Sequence, residues 1–215
     1  IVYGMMGVFD KSVECYSEAL FIKIRRHGPE HIDVADVHFN LGLVHNKRGD
    51  HDSAISCYQE ALRIRKDKFG DEHEEVARVL HHIGVALSDM GEVGDAMRFY
   101  EECLRIRRLI LGDEHEDVAR TLHNLGLVYY ENCKYDKALE LINELTETVG
   151  KTEIREQFRA QIMTATKYQG IESEKLLEAI KNNPKEESNY VALIYLYSEN
   201  NQEEKALEIA KLLEK

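Results

Sequence analysis

The sequence is poor in helix breakers, with two prolines in 215 residues, so long helices can run without interruption. It has no uninterrupted apolar run near the roughly 18 to 20 residues of a membrane-spanning helix, and its first residues lack a signal peptide's basic start and apolar middle. These absences lead to the expectation of a cytoplasmic protein with no membrane partner. Basic residues are in deficit, 28 Lys and Arg against 40 Asp and Glu, for a formal charge of -12. Phosphate binding needs a basic stripe, so nucleic acid is excluded as a general partner, and neutral or basic partners are favoured unless a local patch intervenes. The four cysteines, Cys15, Cys57, Cys103 and Cys133, contain no C-x-x-C pair and stand on helical sequence. Buried thiols in a reducing compartment are the expectation.

Motifs of catalysis are missing as well. There is no G-x-x-x-x-G-K phosphate loop, no H-E-x-x-H and no G-x-S-x-G turn. The many carboxylates read as solubilising charge or as i, i+4 partners of Lys and Arg, and the chain is read as non-enzymatic and without a cofactor. Ten histidines raise the question of a metal. His81 and His82 are adjacent and point about 100° apart, whereas a helical site prefers i, i+4 spacing. His27 and His31 have that spacing but are separated by Gly28-Pro29, and His31, His73 and His115 recur as a structural habit would. No metal site is expected.

What is present is a period. Gly28-Pro29-Glu30-His31, Gly70-Asp71-Glu72-His73 and Gly112-Asp113-Glu114-His115 stand 42 residues apart, as do Val34-Ala35, Val76-Ala77 and Val118-Ala119. A period of roughly 20 to 50 residues marks a solenoid, whose units stack on their neighbours. The 215 residues divide into about five or six helix pairs. Gly42, Gly84 and Gly126 follow Leu41, Ile83 and Leu125, and the alanines Ala54, Ala96 and Ala138 stand twelve residues beyond them. Tyr58, Tyr100 and Ile142 come next, then Ala61, Cys103 and Leu145. Apolar positions follow i, i+3, i+4, i+7 within each helix. Gly70 and Gly112 are expected to end helices in a left-handed conformation, Asp71 with Glu74 and Asp113 with Glu116 to form capping boxes, and Gly28-Pro29 to place proline near a first helical position.

The pattern of large apolar residue, Leu-Gly, aromatic, then Ala and aromatic resembles the tetratricopeptide repeat. The 42-residue spacing and the segment Gly112 to Gly126, echoed by Gly70 to Gly84, resemble the kinesin light chain group. The resemblance covers residues 1–150 and implies an all-α, right-handed tetratricopeptide superhelix, an α-solenoid, that binds peptide segments of partner proteins and performs no chemistry.

Both ends depart from the pattern. Ile1, Val2 and Tyr3 align with Leu43, Val44 and His45, and Gly7 with Gly49, so the first unit is expected to open in mid-helix and to expose an apolar face that drives homo-oligomer formation or meets another molecule. Residues 151–215 read as a degenerate repeat followed by a terminal one. Glu156, Arg159 and Glu172 fall where apolar or small residues belong, while Ala179, Pro184, Tyr190, Leu193, Tyr197 and Ala206 fit a shorter period. Two origins stay open: a natural array capped by Glu203, Glu204, Glu208, Lys211 and Lys215, or an engineered fusion of two arrays joined near residues 136–155.

Helical geometry names the face opposite each core stripe. For successive first helices it is Asp36, Asn40, Leu43 and Lys47; Arg78, His82, Val85 and Asp89; and Arg120, Asn124, Leu127 and Glu131. Leu43, Val85 and Leu127 are apolar where packing within a pair does not require it. Asn40 and Asn124 can both donate to and accept from an extended backbone, and Arg78 and Arg120 offer an acid-binding pair. Asn40, Leu43, Lys47, Arg78, His82, Val85, Arg120, Asn124 and Leu127 are therefore the candidate peptide-binding residues of a scaffold with a concave groove. The alternative is a self-assembling or engineered scaffold that works through its exposed ends, with Leu43, Val85 and Leu127 packed against neighbouring repeats.

Overall fold

The computed structural model describes residues 2–150, 152–168, 173–199 and 203–213, which form eleven α-helices and no strand. They belong to two compact units, residues 1–155 and 156–215. In the first, α1 (Val2–His27), α2 (Ile32–Arg48), α3 (His51–Phe69), α4 (Glu74–Asp89), α5 (Val93–Leu111), α6 (Glu116–Glu131) and α7 (Tyr135–Val149) pack in chain order, each against the helix before and after it. α2, α4 and α6 also touch in succession, so the first helices of the repeats share one side of the unit.

The repeated small residues make this stacking close. A β-carbon on Gly42 would lie 2.5 Å from Cε1 of Tyr58, and one on Gly84 would lie 2.9 Å from Cε1 of Tyr100. Each tyrosine is buried between two first helices, Tyr58 in a core with Val34, Ala35, Phe39, Ala54, Ala61, Ile64, Val79, Ile83 and Ala86. The next core joins Val76, Ala77 and Leu80 to Cys103 and Ile106.

The ends of the helices differ from expectation in four ways. The N-caps of α2, α4 and α6 are His31, His73 and His115, whose Nδ1 atoms accept from the N–H of Asp33, Glu75 and Asp117 at 3.2, 3.1 and 3.1 Å. A histidine Nδ1 stands as far from its backbone as an asparagine Oδ1, so it reaches the same orphan donor. Asp71 and Asp113 form no capping box; they pair with Lys66 at 2.8 Å and Arg108 at 3.3 Å. Gly70 and Gly112 have positive φ but extended ψ (173° and 164°) rather than left-handed helical geometry, and Pro29 lies in the turn before α2.

Two further expectations are corrected. α1 runs unbroken through Gly7, without a turn like that at Gly49. At position 50 the N-cap Asp50 accepts from the N–H of Ser53 and starts α3, whereas Val8 at the equivalent place has no acceptor to start a new helix. The cysteines are not uniformly buried: Cys103 is buried and Cys57 half-buried, but Cys15 and Cys133 are exposed, and Cys133 lies in the turn after α6. Burial pushes the Cys57 and Cys103 thiols up to about 11.

The second unit holds most of α8 (Glu153–Tyr168), then α9 (Ser173–Asn182), α10 (Glu187–Glu199) and α11 (Glu203–Leu213). α10 packs on α9 and α11 around Leu176, Ala192 and Leu193. Glu156 and Arg159 are half-buried and pair with each other at 3.9 Å, while Ile162 and Ala165 take the buried positions of α8. Glu172 and Lys215 lie outside the described residues, as do the side chains of Glu203 and Glu204; Glu208 and Lys211 are exposed.

Candidate peptide-binding surface

Along α2, α4 and α6 the nine candidate residues form rows. At the first-turn edge, Arg78 bonds Glu75 at 2.5 Å and lies over the Phe39 ring at 5.1 Å, and Arg120 pairs with Asp117. This corrects the picture of an available basic pair: each arginine already has a carboxylate three residues upstream. In the next row Asn40 is half-buried. His82 meets Phe39 edge-on at 5.2 Å and lies 5.9 Å from Tyr58, and burial, reinforced by Arg120, Arg107, Arg78 and Arg65, pushes its pKa down to about 4. It is a neutral aromatic wall at pH 7. Asn124 donates to the Tyr100 hydroxyl at 3.5 Å, which occupies one of its donors.

The apolar row is open at one end. Leu43 is half-buried and packs on the core, Val85 is half-buried, and Leu127 is 36% exposed. Val85, Leu127 and Asn124 line a hollow of 280 Å³ between α4 and α6, with Tyr100, Ser88, Asp89 and Glu131. Burial, with added repulsion from Asp89 and Glu131, pushes the Tyr100 phenol up, so it is a neutral hydroxyl there. Lys47, at the corresponding edge of α2, is exposed. The structure thus brings together Val85, Asn124 and Leu127, and leaves Asn40, Leu43 and Lys47 further along the same side.

Two features escaped the sequence reading. Arg65 and Arg107 are 0% and 1% exposed. Arg65 bonds Asp36 at 2.9 Å and pairs with Glu75 at 3.2 Å; Arg107 bonds Thr121 at 2.9 Å and Glu74 at 3.2 Å. Each ties one first helix to the next. The second is a hollow of 730 Å³ on another face of α6, lined by Leu104, Leu109, Leu125 and Leu141 among charged residues. Its polar groups are mostly engaged, Arg108 with Asp113 and Glu144 and Tyr129 with Glu101. Leu141 stands where the preceding repeat has Phe99, which packs into both neighbouring cores, so the smaller side chain leaves the space.

Among the described residues no group of three or more His, Cys, Asp or Glu side chains could hold a metal, and no helix is long and apolar enough to cross a membrane. Stacked helix pairs with glycines closely packed at the Gly42 and Gly84 crossings define a helical-repeat protein. The tetratricopeptide repeat family profile matches residues 1–67, 33–108 and 75–148, and the chain belongs to that family. Repeats of this family are generally protein-interaction scaffolds without catalytic activity. Among solved structures the chain is similar to BtubC (BKLC) from P. vanneervenii, at 19% identity and a TM-score of 0.61, covering 98% of this chain and 74% of that one. It is also similar to a kinesin light chain-like protein of nearly identical TPR-like repeats from Podosopora anserina, at 19% identity and a TM-score of 0.60, covering 99% and 88%. At this identity the likeness concerns the fold. No curated protein matches the sequence.

Proposed function

We propose that this protein holds a peptide segment of a partner protein along the side formed by α2, α4 and α6. The observation that supports this most directly is the open hollow between α4 and α6, where Val85 and Leu127 offer apolar surface beside the amide of Asn124. Leu43 and Asn40 extend the contact toward α2, His82 forms a wall, and Lys47, Arg78 and Arg120 stand at the edges. The segment gains apolar burial from one row and backbone hydrogen bonds from the other. The setting we propose is the cytoplasm, where cysteines that form no disulfide are stable. Methyl-resolved NMR of the chain titrated with selected peptides tests the site. Shifts are expected at Leu43, Val85 and Leu127 and not at Leu109, and Leu127→Asp should weaken binding by about 5- to 30-fold. Shifts confined to other methyls would move the site elsewhere.

A second reading rests on α1. Phe21 and Ile22 are 61% and 60% exposed, whereas Ile64 and Ile106, at the place of Ile22 in later repeats, are each 1% exposed. An apolar face of this kind supports association through α1, as a homo-oligomer or with another chain. Light scattering across a concentration series, with Phe21→Glu and Ile22→Glu, tests it: a monomer at every concentration removes the homo-oligomer.

A further inference from the structure

The last turns of α4 and α6 break a rule that α2 keeps. A helix C-terminus carries roughly half a negative charge on its unpaired carbonyls, and basic side chains in the last turn normally offset it. α2 has His45, Lys47 and Arg48 there, whereas α4 and α6 have no basic residue in the last turn and close on Asp89 and Glu131. Both carboxylates are exposed, and neither has an ion-pair partner among the described residues. Local departures from such rules gather where a surface meets something else.

What gives these charges a direction is the hollow they share. Asp89 and Glu131 line the same 280 Å³ space as Val85 and Leu127, so two helix ends and two carboxylates surround an apolar floor. That volume falls just below the roughly 300 to 1,000 Å³ of small-molecule pockets, and it suits a side chain or two of a bound segment. At the opposite edge Arg78 and Arg120 are engaged by Glu75 and Asp117, which weakens any attraction for an acidic segment.

We infer that the occupant is a basic and apolar peptide segment. A Lys or Arg of the partner places its cation between Asp89 and Glu131, and an apolar side chain on the same face of the extended segment, two residues away, rests on Val85 and Leu127. The chain's formal charge of -12 adds long-range attraction for such a segment. The inference rests on the peptide-binding reading above and specifies its ligand.

Selection of short random peptides displayed on phage against the full chain tests it, with sequencing of the enriched pool and anisotropy titration of the recovered peptides. Enrichment of Lys or Arg two positions from Leu, Ile, Val or Met is expected. Affinity of a recovered peptide should fall roughly 3- to 10-fold in the Asp89→Asn/Glu131→Gln variant and further with added salt. Asp113→Asn, which removes a carboxylate from the other hollow, should leave it nearly unchanged. Acidic or uncharged peptides in the pool, or affinity indifferent to Asp89→Asn/Glu131→Gln, would overturn the inference. Acidic peptides whose binding is lost in Leu127→Asp would leave the groove reading intact, whereas a pool with no enrichment would sink both. Removing two carboxylates from helix C-termini relieves like-charge repulsion, so the variant should fold, and a circular-dichroism melt no lower than the parent's checks that it does.

Discussion

Gly49, Gly91 and Cys133 occupy the same turn in three successive repeats, with φ of 84°, 79° and 55°. In each, the next residue's N–H closes the helix by donating back to a carbonyl, Asp50 to His45 at 3.0 Å, Glu92 to Leu87 at 2.9 Å and Lys134 to Tyr129 at 2.9 Å. A β-carbon in this left-handed region costs about 1 to 2 kcal/mol, so Cys133→Gly should stabilise the first unit by about 1 kcal/mol and Gly91→Ala should destabilise it by a similar amount. Urea titrations measure both. A loss of stability in Cys133→Gly would mean that the Tyr135 hydroxyl, 3.5 Å from the thiol, contributes more than the backbone strain costs. At the helix crossings the argument is steric. Gly42→Ala drives a methyl to 2.5 Å from a ring that is 0% exposed and cannot retreat, whereas at Gly84 the nearest approach is 2.9 Å. Both should destabilise, by about 1 to 3 kcal/mol, with Gly42→Ala the larger. These crossings were legible, because Leu41-Gly42 with Tyr58 and Ile83-Gly84 with Tyr100 repeat an apolar residue, a glycine and a tyrosine sixteen residues on. The 42-residue period sets Cys133 at the place of Gly49 and Gly91, but a cysteine carries no turn preference of its own, so the left-handed conformation there shows only in the structure.

At the scale of helices, what holds one repeat on the next is partly ionic. Lys23 with Asp33 at 2.6 Å, Arg65 with Glu75 at 3.2 Å and Arg107 with Asp117 at 4.0 Å are one interaction repeated every 42 residues. A base and an acid ten residues apart, recurring at the repeat period, are readable in the sequence, but arginine is so rarely fully buried that the spacing alone does not point to an interior pair. Burial follows from geometry: Arg65 lies over Phe39 at 4.8 Å and donates to the Glu75 carbonyl at 3.3 Å, so it fills the seam between α2 and α4 while fastening the start of α4. Arg107→Ala should cost about 2 to 4 kcal/mol, combining a cavity with the loss of charged hydrogen bonds to Glu74 and Thr121. Arg107→Met, which refills the space with apolar volume, should cost clearly less. Urea denaturation of the two variants compares them; equal losses would show that charge, and not packing, dominates the seam. The apolar row of the candidate site was legible from helical phase alone. The i, i+3 spacing of Arg78 with Glu75 and of Arg120 with Asp117 is in the sequence, but only the side-chain geometry shows that both pairs are made.

For the folded chain as a whole, buried His81 and half-buried His82 set the response to acid. His81 is 5% exposed, and burial, then repulsion from Arg107, His82 and Arg120, pushes its pKa down to about 3, while His82 is pushed down to about 4. Both are neutral when folded and take up protons readily once unfolded, where histidine titrates near 6.5. Their contribution is therefore complete above about pH 6.5 and is lost as pH falls toward the folded values. His38 and His123, also lowered by burial, act in the same direction. The carboxylates act lower on the scale: Asp50, held at about 2 by its bonds to Arg48 and Ser53 despite opposing desolvation, loses its contribution only below its ordinary range near 3.8. The interval from pH 7 to 5 thus isolates the histidines. A drop on the order of 2 kcal/mol for each of His81 and His82 is expected there, since 1.5 pH units below the unfolded value correspond to about that much proton-linked free energy. Urea titrations at pH 7, 6 and 5, followed at the methyls of Val79 and Leu80 so that only the first unit is read, measure it. The His81→Gln/His82→Gln variant should flatten the profile across this interval; a variant with the parent's slope would place the acid response in groups other than these two histidines.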